Sequence, residues 1–453
     1  MKNRSAFTVS LFSVLAFAAC SSPRVAPSAA AATANTKAPR AALNPPKPDE
    51  PYFAQFDPKP APQPTGLLLQ KGDRLAICGD SITEQKMYSR AMETYLTVCV
   101  PELGVTVRQY GWGGEKADGF WRRMTNDCLG FQPTIATTCY GMNDHAYRPY
   151  QNWIGWTYRS NQLGVVQSFK DNGVRVVLGS AGCVGKRPWW GDTNATTDKL
   201  NQNLCTLRNI DIEIAEQENT AFADVFWPML VAGWEAQQKY GTNYAMAGGD
   251  GVHPGWAGSF VMAYAFLRAL GVDGEIGTYT VDLNSGKASA SAGHEVVSAK
   301  KGEVEIKSTR YPFCATGEVK SDASIRSAMA LIPFNQELNR LTLKVSNASA
   351  QNYKVTWGGA TRNYSAAQLT EGVNLAADFA VNPFSKAFDK VDAAVKAKQD
   401  YETHQIKDIF NGPEFKVEPE ALRKITEQVR TPLASAIKTA FVPVTHTIKI
   451  EAE

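Results

Sequence analysis

Arg74-Leu75-Ala76-Ile77-Cys78-Gly79-Asp80-Ser81-Ile82-Thr83 is an apolar run that ends in a glycine, a carboxylate and a hydroxyl. A short run of this kind suits a strand buried on both faces, which puts the polar tail at the strand's carboxyl end. Four further runs follow: Val105–Tyr110, Thr134–Cys139, Val174–Leu178 and Ala221–Val225. Segments of helical periodicity separate them, Tyr88–Val98, Lys116–Asn126, Arg159–Asn172 and Thr197–Gln217, and Ala257–Leu270 follows the last. The alternation predicts an α/β domain over residues 67–273, with helices on both faces of a five-stranded parallel sheet.

Ligands of open α/β sheets bind at the carboxyl ends of the strands. Three of the expected strands lead there into a polar block: Gly79-Asp80-Ser81-Ile82-Thr83, Gly111-Trp112-Gly113-Gly114-Glu115 and Gly141-Met142-Asn143-Asp144. A fourth block, Asp250-Gly251-Val252-His253-Pro254, precedes the last helix. In order and approximate spacing the four resemble the signature blocks of the SGNH hydrolases, the GDSL esterase and lipase family. The resemblance implies a flavodoxin-like three-layer sandwich and the hydrolysis of carboxylic esters, with no cofactor.

A serine hydroxyl is a poor nucleophile near neutral pH and needs an adjacent base, roles that Ser81 and His253 fit. Asp250 stands three residues before His253, so one tight turn can set carboxylate beside imidazole; Gly251 and Pro254 suit that turn. The alternative for Ser81 alone is a helix N-cap. The resemblance maps the oxyanion donors onto the backbone N–H groups of Ser81 and Gly114 and the side-chain amide of Asn143. Gln109 stands where the family commonly has Asn. Neither G-x-S-x-G nor a phosphate-cradling loop occurs, and no metal ligands are implied.

The stretch from His145 to Asp192 is rich in Tyr and Trp, with arginine and lysine interleaved. Aromatic faces stack on sugar rings, so Trp112, Trp153, Trp156, Trp189 and Trp190 are candidate substrate contacts, each also readable as core. His145, which directly follows the third block, and Asp144, whose alternative is to cap a turn by binding backbone N–H groups, are candidates by position. The number of aromatics favours an acetylated glycan over a lipid, with a lipid esterase or lysophospholipase and a non-catalytic glycan-binding protein as the rivals.

Lys2 and Arg4 precede an apolar stretch from Ala6 to Ala19, too short to span a bilayer, which reads as an export signal over residues 1–20. Phe17-Ala18-Ala19-Cys20 resembles a bacterial lipobox, with Phe17 where Leu is usual, which implies acylation at Cys20 and an outer-membrane lipoprotein held to the membrane by its N-terminus; the alternative is an ordinary signal cleaved at the same small residues. Residues 21–66 hold 11 of the 24 prolines and are expected to form an extended, mobile tether. The seven other cysteines form no close pairs, and no bridge is assigned. Lys+Arg 47 against Asp+Glu 44 leaves a net charge of +3, too weak a field for nucleic acid as a partner. Residues 274–453 read as a β-rich accessory region with C-terminal helices. The region is either a carbohydrate-binding module with Trp357 as platform or a structural layer on the hydrolase body, the second being preferred.

Overall fold

The computed structural model describes residues 46–453. The expected signal, the lipid-attachment residue Cys20 and the first part of the expected tether lie outside the described residues. Strands β1 (Arg74–Gly79), β2 (Thr106–Gly111), β3 (Ile135–Cys139), β4 (Arg175–Gly179) and β5 (Ala221–Ala223) form an all-parallel sheet in the order β2-β1-β3-β4-β5. The chain leaves β1 toward β2 and returns to place β3 on the other side. This reversal opens a crevice beyond the ends of β1 and β3, where a flavodoxin-like sheet takes its ligand.

The helices are α1 (Ser81–Glu84), α2 (Tyr88–Val98), α3 (Ala117–Asp127), α4 (Asn152–Asp171), α5 (Thr197–Glu218), α6 (Phe226–Tyr240) and α7 (Trp256–Ala269). Successive strand side chains enter opposite layers, as the period of two requires. Leu75 and Ile77 join the core beneath α2, α6 and α7, whereas Ala76 and Cys78 join the one beneath α3 and α4. The five strands fall within two residues of their expected bounds. Helix α6 is not among the expected helices; its Pro228 lies in the first turn, where no N–H is needed. Helix α4 starts seven residues earlier than Arg159.

Residues 46–66 correct the expectation of a mobile tether. Phe53 and Phe56 are buried, and the Phe53 ring meets Trp227 at 5.7 Å and Trp234 at 5.6 Å. Arg208 and Asn209 of α5 bond the backbone of Lys59 and Asp57. Two buried phenylalanines at about 1.5–3 kcal/mol each hold down a segment whose prolines leave little chain entropy to lose.

Beyond residue 274 the chain adds β6 (Glu275–Asp282), β7 (Ala288–Ala290), β8 (His294–Lys300), β9 (Glu303–Ser308), β10 (Arg340–Ser346), β11 (Asn352–Trp357), β12 (Ala360–Ser365), β13 (Val373–Asn374) and β14 (Val444–Ala452). They form two sheets, β13-β10-β6-β7 and β12-β11-β14-β9-β8. Their apolar faces, Tyr279, Val304, Trp357 and Ile448 among them, continue the same core that contains Leu75 and α7. Trp357 is fully buried and its indole N–H donates to His446 Nδ1 at 3.1 Å, which removes it as an exposed platform.

Between β13 and β14 run the helices Ser385–His404 and Pro419–Ala440. They close the β2 edge of the parallel sheet: Lys398 Nζ and the Arg430 guanidinium both donate to the Val107 carbonyl, at 2.5 and 3.1 Å. An edge covered in this way offers no open ladder to another chain. The seven cysteines of the described residues are buried and unbridged. Among the described residues no helix is long and apolar enough to cross a membrane.

Candidate active site

Ser81 is the first residue of α1, directly beyond the end of β1. The cap of that helix is Asp80, whose Oδ1 accepts the Ile82 N–H at 2.9 Å. Ser81 is therefore free of the capping role, and its Oγ lies 2.8 Å from His253 Nε2.

His253 is presented by a turn. Asp250 Oδ1 accepts the backbone N–H groups of Val252 and His253, both at 2.9 Å, while Oδ2 lies 2.6 Å from His253 Nδ1. One carboxylate thus shapes the turn and orients the ring. Gly248 and Gly251 have φ of +81° and +87°, and a Cβ at Gly248 would fall 1.7 Å from the His253 carbonyl oxygen. Only glycine permits a loop this tight. Partial burial works to raise the Asp250 carboxyl. The hydrogen bonds from His253 and Val252 outweigh it, so the group sits below the usual carboxylate range and is ionised near neutral pH.

The loop after β2 and the one after β3 face this pair. Gly114 has φ of +72°, with open space where a side chain would stand, so its backbone can approach a reacting atom. Asn143 Nδ2 donates to the Glu115 carbonyl at 2.9 Å and lies 3.4 Å from Asp80 Oδ2, and the Tyr147 hydroxyl donates to Asn143 Oδ1 at 2.9 Å. Tyr147 thereby fixes which end of the amide faces the site. Ala146 and Tyr147 both hold left-handed backbone, φ +54° and +51°. Strain of this sort persists only where neighbours over-determine it; here Asn203 of α5 bonds the carbonyls of His145 and Arg148.

Glu115 is held by Arg123 through two bonds of 2.6 Å, and the same guanidinium donates to the Tyr110 carbonyl at 2.8 Å and to Asp127 at 3.1 Å. Desolvation raises the Glu115 carboxyl, and Arg123 works against it. Replacement of Arg123 by Met leaves two buried carboxylates without their cation. Chemical denaturation is expected to show a loss of about 3–5 kcal/mol, the cost of breaking a buried pair from one side. A loss below about 1 kcal/mol is inconsistent with this network.

The remaining candidates divide. Trp190 is half-open, with its ring 6.3 Å from that of His253, 5.7 Å from Tyr147 and 5.5 Å from Trp189, which is 86% exposed. These three aromatics stand as a wall on the histidine side. Trp112 lies within 5.0 Å of the Arg123 guanidinium and 5.4 Å of the Lys407 ammonium. Trp153 and Trp156 are exposed in the first turns of α4, and no ring contact joins them to the wall.

Asp144 and His145 are not substrate contacts. Asp144 is buried, with its two oxygens accepting the N–H groups of Ala117 and Gly141, and desolvation lifts its carboxyl to about 7. His145 is fully buried against Tyr147 with Nδ1 on the Met142 carbonyl, and desolvation lowers it to about 4, so it stays neutral. Asp144 ends the third block and His145 directly follows it, which makes both look like site residues, but the loop turns their side chains inward, and Asp144 takes the alternative role of binding backbone N–H groups. The sequence reading gave no orienting role to Tyr147 or Glu115. The signal for Tyr147 is a hydroxyl four residues past the block asparagine, legible once the loop's turn is known.

Residues 77–259 match the model of the GDSL-like lipase/acylhydrolase family, a span that contains Ser81, Gly114, Asn143, Asp250 and His253. No curated protein matches the chain. Among solved structures, a gut microbial diltiazem-metabolizing enzyme is 22% identical with a TM-score of 0.68, covering 86% of this chain and 100% of its own. That coverage exceeds what the parallel-sheet body alone could supply, so the shared fold includes C-terminal sheets. An acetylxylan esterase from Geobacillus stearothermophilus, in a catalytic-mutant form, is 22% identical with a TM-score of 0.37, covering 45% of this chain and 97% of its own. The segment from residue 77 to residue 259 thus belongs to the GDSL-like lipase/acylhydrolase family, and the protein that carries it is a carboxylic ester hydrolase.

Proposed function

We propose that the protein removes short acyl groups, acetate above all, from a glycan through an acyl-enzyme on Ser81. The observation that carries this reading is the continuous line Ser81 Oγ, His253, Asp250, with contacts of 2.8 and 2.6 Å. Ser81 Oγ attacks the ester carbonyl carbon while its proton passes to His253 Nε2. The oxygen that becomes negative is met by the N–H groups of Ser81 and Gly114 and by Asn143 Nδ2, each such donor contributing on the order of 10²–10³ in rate. Collapse expels the sugar oxygen, which takes the proton from His253. Water, deprotonated by the same nitrogen, then releases the acid from Ser81. Asp250 holds the ring and offsets the charge it gains.

The wall of Tyr147, Trp189 and Trp190, with the exposed Lys186 and Arg187 just before the tryptophans, supports a sugar rather than a long acyl chain beside the serine. A cavity of about 640 Å³ lies behind the turn that carries His253, lined by Tyr52, Lys186, Asp198, Trp234 and Tyr244 among others. Its mix of rings and polar groups suits a polymeric glycan. Export and acylation at Cys20 would hold the enzyme at a bacterial envelope, where such a polymer is met.

Acetate release from a panel of acetylated polysaccharides tests the reading, with p-nitrophenyl esters of rising chain length alongside. Activity is expected on acetyl esters and poor on esters longer than butyrate. A preference for long chains moves the substrate to lipids. Trp190→Ala is expected to raise KM for an acetylated oligosaccharide roughly three- to tenfold, the worth of one aromatic contact, and to affect the small ester less. An unchanged KM on the oligosaccharide removes Trp190 from the sugar site.

A further inference from the structure

The loop Gly111–Glu115, which carries the Gly114 N–H, is gripped from the far end of the chain. The helix Ser385–His404 does not stop at its last turn but continues as a π-helical turn, Gln405–Ile409. This widened geometry is rare and gathers at functional sites. Lys407, in the middle of it, places its ammonium 2.7 Å from Glu84 Oε1. The other oxygen of Glu84 accepts the backbone N–H of Gly113, the neighbour of Gly114. The same ammonium lies 5.4 Å from the centre of the Trp112 ring. One turn earlier, Thr403 Oγ1 accepts from the Gln109 side-chain amide, whose oxygen takes the Gly111 N–H at 2.8 Å. Gln109, the departure noted in the sequence, is thus the joint between the loop and this helix.

We propose that Lys407, acting through Glu84, is a positioning residue for the oxyanion-binding loop, and that the C-terminal helical pair is thereby part of the working hydrolase. The proposal rests on the assignment of the Gly114 N–H to the oxyanion. Glu84 belongs to α1, whose first residue is Ser81. One carboxylate therefore ties the helix of the nucleophile to the loop that presents the second donor, and so sets the spacing between the two N–H groups. Donors act on a developing charge only if already aimed at it. Glu84 and Lys407 are about one-quarter exposed. Without its cation the carboxylate can turn to water and release Gly113. A pair this open adds little to overall stability, which separates its effect on rate from any effect on folding.

Steady-state hydrolysis of p-nitrophenyl acetate by the full chain tests this, once the wild type and Ser81→Ala have established hydrolysis that depends on Ser81. Lys407→Met and Glu84→Gln are each expected to lower kcat about tenfold, part of the worth of one donor, with KM within twofold and the thermal midpoint nearly unchanged. Lys407→Arg is expected to recover most of the rate, and the double variant to be no slower than either single one. Should Lys407→Met fail to fold, the isosteric Glu84→Gln carries the test. An active wild type whose Lys407→Met and Glu84→Gln variants keep kcat within twofold overturns the proposal alone, as does a loss that Arg does not restore. A wild type with no Ser81-dependent hydrolysis overturns the esterase reading, and the proposal with it.

Discussion

Ser81→Ala is expected to lower kcat for p-nitrophenyl acetate by 10⁴-fold or more, on the order seen when a serine nucleophile is removed from a working triad. The thermal midpoint should move by no more than a few degrees. The second expectation follows from the division of labour at the end of β1, where Asp80 caps α1 and the Ser81 hydroxyl bonds His253. Removal of the hydroxyl takes away the attacking atom and no cap. The residue left behind still donates its backbone N–H, so a residual rate above that of water remains consistent with the scheme. Equal rates in the two proteins are not.

Asp250→Asn is expected to cost about 10⁴ in kcat with the turn intact, the effect of presenting the wrong tautomer to the nucleophile. The asparagine carbonyl can still accept the N–H groups of Val252 and His253, as Asp250 Oδ1 does. Its NH₂ group then faces His253 Nδ1, which must become an acceptor. The ring proton moves to Nε2, and Nε2 can no longer take the proton of Ser81. Asp250 has a carboxyl held below its ordinary value by these hydrogen bonds against the opposing effect of burial. It is ionised at every pH above the ordinary carboxylate range, so the wild type should keep its advantage over the variant from about pH 5 upward. Stopped assays of both proteins over pH 5–8 measure it. A variant within tenfold of wild type means that the carboxylate does not orient the ring.

The parallel sheet was legible because fully buried strands leave short apolar runs, and every block that follows one lies at its carboxyl end. The contact between residues 81 and 253 was legible for the same reason: both belong to blocks that the topology sends to one edge of the sheet. What was not legible depends on direction within a loop. Asp144 ends the block that holds Asn143 and His145 directly follows it, yet the left-handed Ala146–Tyr147 turn sends them into the core and Tyr147 onto the amide. Phe53 and Phe56 were hidden by the prolines around them, since composition averages away two anchors. Lys407 and Thr403 could not be found, because their partners Glu84 and Gln109 are far away in sequence and only the covered β2 edge brings the helices there.

The most direct test is covalent. The native protein is incubated with a fluorophosphonate ester, which forms a stable adduct only with an activated serine held next to oxyanion donors, and the label is located by peptide mass spectrometry. The predicted result is one adduct per chain, on the peptide that contains Ser81, lost in Ser81→Ala and strongly slowed in His253→Ala. A label on another serine, or an unlabelled Ser81 in a protein that still hydrolyses esters, contradicts the account.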